Sequence, residues 1–156
     1  MSLTIALCLA LVTLQNGNAP AHDRPSFAGE WILVAPEESA SKPARKLTVV
    51  QDAASITITR ASDGRSESTT YPVASDGGTV GGTTGSKSTP LPSARWTNRS
   101  LALQQGQCRQ QSLDNCVERR EAWSVDQKGL LTIELTTYGP GKHISKQTSI
   151  YRRPGA

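Results

Sequence analysis

Apolar and polar residues alternate in short runs of period two along most of this chain, as in strands with one buried and one wet face. Leu47 and Val49 share a face, as do Ile56 and Ile58, Trp123 and Val125, and Leu131, Ile133 and Leu135. The pattern predicts strands over residues 29–34, 46–52, 55–60, 68–73, 94–97, 100–104, 117–126, 130–138 and 147–153. Turn signals punctuate them: Asp63-Gly64, Asn98-Arg99, Asp126 to Gly129, and Gly139-Pro140-Gly141. Residues 74–92, rich in Gly, Ser and Thr, hold too few apolar groups to order themselves by burial. They read as a connection with room for one polar edge strand at 79–84, or as a flap over a barrel mouth. No amphipathic helix, repeat or coiled coil interrupts the pattern. Eight or nine short strands at this spacing imply an all-β antiparallel barrel or sandwich.

Two motifs bracket that pattern. Phe27-Ala28-Gly29-Glu30-Trp31 opens it and Tyr151-Arg152-Arg153 closes it. Gly-x-Trp on a first strand and an arginine on a last strand suit a small barrel whose two end strands meet.

Composition adds a compartment. Residues 1–21 carry no charge, and 3–14 form an apolar run shorter than the ~20 residues a membrane-spanning helix needs. With Ala19-Pro20-Ala21 behind it, this segment reads as a signal peptide cut after Ala21. The expectation is a secreted or periplasmic domain over residues 22–156, with no transmembrane segment in the mature protein. The chain's 17 basic and 13 acidic residues give it a net charge of +4, and only 4% of it is aromatic. Its core is therefore Val, Ile and Leu anchored by three Trp. A core this thin gains from a covalent staple. Cys108 and Cys116 suit a disulfide in an oxidising compartment; free thiols and a metal pair are the rival readings. Closing so short a loop stabilises by about 2.6 kcal/mol on a chain-entropy estimate.

The motifs together resemble those of the lipocalin-like, or calycin, barrels, and most of all small secreted bacterial proteins beginning Phe-x-Gly-x-Trp. The likeness runs through Ile56-Thr57-Ile58-Thr59-Arg60, Thr70-Tyr71-Pro72-Val73, Ala94-Arg95-Trp96, Trp123-Ser124-Val125-Asp126 and Ile150-Tyr151-Arg152-Arg153. It implies an eight-stranded up-and-down barrel. Trp31 would cover the closed end, Gly29 would allow a close approach, and Arg152 or Arg153 would lie across the indole. It also implies a small, largely apolar ligand inside the barrel. The candidate lining is Trp96, Leu101, Leu103, Trp123, Val125, Ile133 and Leu135. These side chains either surround a cavity or fill the interior, because a barrel of this size is just wide enough for either. In the second case the chain is an envelope interaction or structural module.

Other chemistries find little support. The two histidines are His22, beside the expected cleavage point, and His143, in a turn. No Gly-x-Ser-x-Gly elbow is present, Glu37-Glu38 reads as a wet turn, and no His and carboxylate cluster has metal-ligand spacing. The reading is a non-enzyme without cofactor or metal. Arg119-Arg120 lies between Glu118 and Glu121, a solvated mixed-charge face rather than a nucleic-acid surface.

Overall fold

The computed structural model describes residues 24–36, 42–74, 91–108, 116–139 and 143–155. The expected signal segment 1–21, the expected edge strand at 79–84, His22 and Glu37-Glu38 lie outside the described residues. The described chain is all-β. Its nine strands are β1 (Gly29–Pro36), β2 (Lys46–Gln51), β3 (Ser55–Ser62), β4 (Arg65–Pro72), β5 (Ser93–Thr97), β6 (Ser100–Cys108), β7 (Cys116–Val125), β8 (Leu131–Tyr138) and β9 (Ile144–Arg152). No helix among the described residues is long and apolar enough to cross a membrane.

The strands form one sheet in the order β4-β3-β2-β1-β9-β8-β7-β6-β5. Every one of these pairings is antiparallel, including β1 with β9. First and last strands thus meet, and the sheet curls into a nearly closed up-and-down barrel. The resemblance implied eight strands; the described residues form nine, and the odd number has a consequence. Alternating directions around an odd ring leave one neighbouring pair running the same way. That pair is β4 and β5, which touch through a parallel bridge between Val73 and Ala94. The Ala74 N–H donates to the Ala94 carbonyl at 2.9 Å there. β5 is short and pairs only Ser100–Gln104 of β6. Higher up, the Tyr71 hydroxyl donates to Gln105 Oε1 across the seam at 3.0 Å.

Local chemistry sets the turns. Asp63 and Gly64 both take positive φ, 46° and 79°, so a two-residue turn of type I′ fixes Ser62 opposite Arg65. Between β7 and β8, Asp126 Oδ1 accepts the N–H groups of Lys128 and Leu130 at 2.9 and 2.8 Å. Such a carboxylate substitutes for missing ladder partners and sets the register.

Inward residues stack in two levels. The lower one holds Phe27, Trp31, Trp123, Leu101 and Leu131, all buried. Residues 24–28 lie across this end. Phe27 stacks on Trp96 at 5.7 Å and meets Trp123 edge-on at 5.8 Å. Its N–H donates to Gln51 Oε1 at 2.9 Å, and its carbonyl accepts Trp31 Nε1–H at 2.8 Å. The backbone N–H and carbonyl of the buried Phe27 thus both keep a partner, which removes the main cost of burying them. Of the two candidate arginines, Arg153 covers the indole, with Cζ 4.3 Å from the Trp31 ring. Arg153 Nη1 also donates to the Ala28 carbonyl at 2.9 Å. Gly29 explains the approach: its φ is +115°, and a Cβ there would stand 2.7 Å from Arg153 Nη1. Arg152 points outward on β9 and is exposed.

Candidate functional site

Above this plug the same inward positions turn polar. On β3 the inward series Ile56, Ile58 continues to Arg60, and on β7 the series Trp123 continues back to Glu121 and Arg119. Arg60 Nη2 donates to both carboxylate oxygens of Glu121 at 2.9 Å. Glu121 Oε2 also accepts Trp123 Nε1–H at 2.8 Å. The Glu121 side chain is only 8% exposed, so the expectation of a solvated charged face fails for this residue. Parity explains the difference. Glu118 and Arg120 share the outer face, where Arg120 Nε donates to Glu118 at 2.6 Å. Arg119 and Glu121 sit on the inner one.

Two phenols frame this ion pair. Tyr71 has its pKa raised, first by burial and then by the Glu121 charge, while Arg60 opposes both. The Tyr151 hydroxyl donates to the Ala44 carbonyl at 3.0 Å. Burial, aided by Glu121, pushes its pKa up to about 12. Burial disfavours the Arg60 cation, but Glu121 and Tyr71 outweigh it and hold the pKa above the ordinary value. A buried pair of this kind stays charged because each partner replaces the water the other has lost.

The ion pair forms part of the wall of an open cavity of about 790 Å³ at the barrel mouth. Leu47, Ile133 and Leu135 give it apolar surface; Ser149, Gln147 and Tyr151 line the β9 side. Its rim carries Lys42, Arg65, Glu67 and Arg119. A cavity between ~300 and ~1,000 Å³ with apolar walls and a few convergent polar groups is the usual form of a small-molecule site.

The structure divides the expected lining set. Ile133 and Leu135 face this cavity. Leu101, Leu103 and Trp123 are buried in the core, with Val125 and Trp96 packed against it. Leu103 also borders a second depression of about 400 Å³, shared with Ala94, Ala102 and Ala122. Expectation missed Arg60, Tyr71, Arg119, Glu121 and Tyr151. The signal was the period-two parity already used for Ile58 and Trp123, carried one or two positions further. His143 is exposed between β8 and β9, and its carbonyl accepts the Gly139 N–H at 2.7 Å. Cys108 and Cys116 face each other in the β6–β7 register.

The fold and the mouth together define a small, nearly closed antiparallel barrel, plugged at one end and hollow at the other, an architecture compatible with the lipocalin-like barrels. Comparison with protein-family models and with curated proteins finds no match. The functional reading therefore rests on the geometry.

Proposed function

We propose that this chain is a secreted or periplasmic, non-enzymatic barrel that binds a small molecule with an apolar body in its open mouth. The single observation carrying this reading is the cavity of about 790 Å³ on the side of the barrel away from the Trp31 plug. Leu47, Ile133 and Leu135 would take the apolar body; the Tyr151 phenol and the Arg60–Glu121 pair would orient it. A binding role suits this polar floor better than catalysis, because Arg60 and Glu121 neutralise each other. Secretion is supported by the charge-free 1–21 segment. It accords with a Cys108–Cys116 bridge, which we propose from their register: directly opposed Cα atoms in an antiparallel ladder lie ~4.5–5.5 Å apart, inside the range a disulfide spans.

The test is the neutral fluorophore N-phenyl-1-naphthylamine, titrated into the mature domain. Saturable binding in the wild type, weakened at least about tenfold by the cavity-filling Leu135→Trp, supports the reading. Binding that Leu135→Trp leaves unchanged, or no binding at all, overturns it. Native mass spectrometry of protein from its own host then shows whether a small molecule is carried.

A further inference from the structure

We infer that the mouth selects an amphiphile bearing an acidic group, a carboxylate or sulfonate, held at the rim by Arg65 and Arg119 while its apolar part contacts Leu47, Ile133 and Leu135. The inference rests on the proposed binding role and names the ligand class.

Charge and depth together define the ligand class. Six ionisable side chains of clear sign line the cavity: Lys42, Arg60, Arg65 and Arg119 are cationic, Glu67 and Glu121 anionic. Arg60 and Glu121 are consumed by each other at 2.9 Å, well inside the barrel. The remainder, Lys42, Arg65 and Arg119 against Glu67, leaves the rim with an excess of positive charge. Arg65 starts β4 and Arg119 lies on β7, so cations reach the opening from separate parts of the wall. The apolar patch of Leu47, Ile133 and Leu135 belongs to the same cavity. A wholly apolar molecule would leave the rim guanidiniums nothing to gain, and a cationic one would be repelled. An acidic group satisfies them through charge-assisted hydrogen bonds while the rest of the molecule leaves water. The chain's net charge of +4 favours the approach of an anion as well.

A matched pair of probes isolates the acidic group. 8-Anilinonaphthalene-1-sulfonate is N-phenyl-1-naphthylamine with one sulfonate added. The wild type should bind the sulfonate at least about tenfold more tightly at low salt. That preference should shrink as ionic strength rises from about 0.02 to about 0.3 M, because the rim is open to solvent. The Arg65→Gln/Arg119→Gln double variant should reduce it to less than about threefold, with the neutral probe's affinity kept. Arg95→Gln/Arg99→Gln, at two exposed arginines outside the mouth cavity, lowers the net charge by the same amount and should leave the preference unchanged. Equal affinities for the two probes in the wild type would overturn the inference and leave the binding role standing. A preference surviving in the double variant would overturn it too. Binding of neither probe would end both. Should the double variant lose its fold, the salt dependence of the wild type still decides.

Discussion

The two ends of this barrel are built from the same strands by opposite rules. At the closed end Phe27, Trp31 and Trp123 are all 0% exposed, and both backbone polar groups of Phe27 are bonded to their surroundings. At the mouth the inward positions hold Arg60, Arg119, Glu121 and Tyr151, and an open cavity remains. Stability and function are thereby separated along the barrel axis. Burying one large aromatic removes ~150–250 Å² of surface from water, about 4–6 kcal/mol on the area scale. The mouth gives up that gain in return for groups able to meet a ligand.

The widest gap between the ends appears on truncation. Trp31→Ala should destabilise the domain by about 3–5 kcal/mol in urea unfolding, since the indole fills a closely packed space and its N–H serves the strap. Leu135→Ala, at the half-buried rim of the cavity, should cost about 1 kcal/mol, because water already reaches that site. Equal losses would erase the distinction between plug and mouth.

The mouth's ion pair gives the next effect. Glu121→Gln should cost about 3 kcal/mol, for it strands the Arg60 charge in a site where the Arg60 side chain is only 20% exposed. Replacing Arg60 as well, Arg60→Met with Glu121→Gln, removes the stranded charge and keeps an acceptor for Trp123 Nε1–H, so it should recover most of that loss in the same unfolding experiment. If the double replacement is as unstable as Glu121→Gln, the pair contributes more than mutual neutralisation.

These two sites were not equally legible in the chain. Trp31 announced itself through its Gly-x-Trp context, and the alternation around Ile56 and Leu131 placed nearly every strand. The choice of Arg153 over Arg152 depends on which face of β9 is buried, and adjacent Ile150 and Tyr151 leave that open in the sequence; the structure buries Gln147, Ser149 and Tyr151, and Arg153 continues that series to the indole at 4.3 Å. Glu121 was hidden for a different reason. Its neighbours Glu118, Arg119 and Arg120 form a mixed-charge run, and such runs are commonly solvated. Parity alone put it inside, and its partner Arg60 lies 61 residues away. The parallel β4–β5 seam was illegible too, because it follows from the parity of the whole ring rather than from any local pattern.

Alkaline titration sharpens the comparison next. Tyr151 has a folded pKa of about 12, above the ordinary 10 of an exposed tyrosine. The folded state therefore keeps a proton that the unfolded chain has released. The stability this represents is complete below pH 10 and is lost as the pH climbs from 10 toward 12. Tyr151 should contribute a slope approaching about 1.4 kcal/mol per pH unit, and Tyr151→Phe should remove that share and leave the one from Tyr71, whose pKa is also raised. An unchanged slope in Tyr151→Phe would assign the alkaline loss to other groups.

The smallest effect lies at the plug, between Gly29 and Arg153. Arg153→Met removes the cation over Trp31 and should cost about 0.5–2 kcal/mol. Gly29→Ala should cost about 1–2 kcal/mol from its positive φ alone. Its new methyl also meets Arg153 Nη1 at 2.7 Å, though the guanidinium is the free end of a flexible side chain and can swing aside. Swinging aside forfeits the same contact that Arg153→Met deletes. The double variant should therefore be more stable than the sum of the single losses predicts, by about 0.5 kcal/mol. Strict additivity in urea unfolding would mean that Gly29 serves the backbone turn alone, and that the arginine reaches the indole without needing the space glycine leaves.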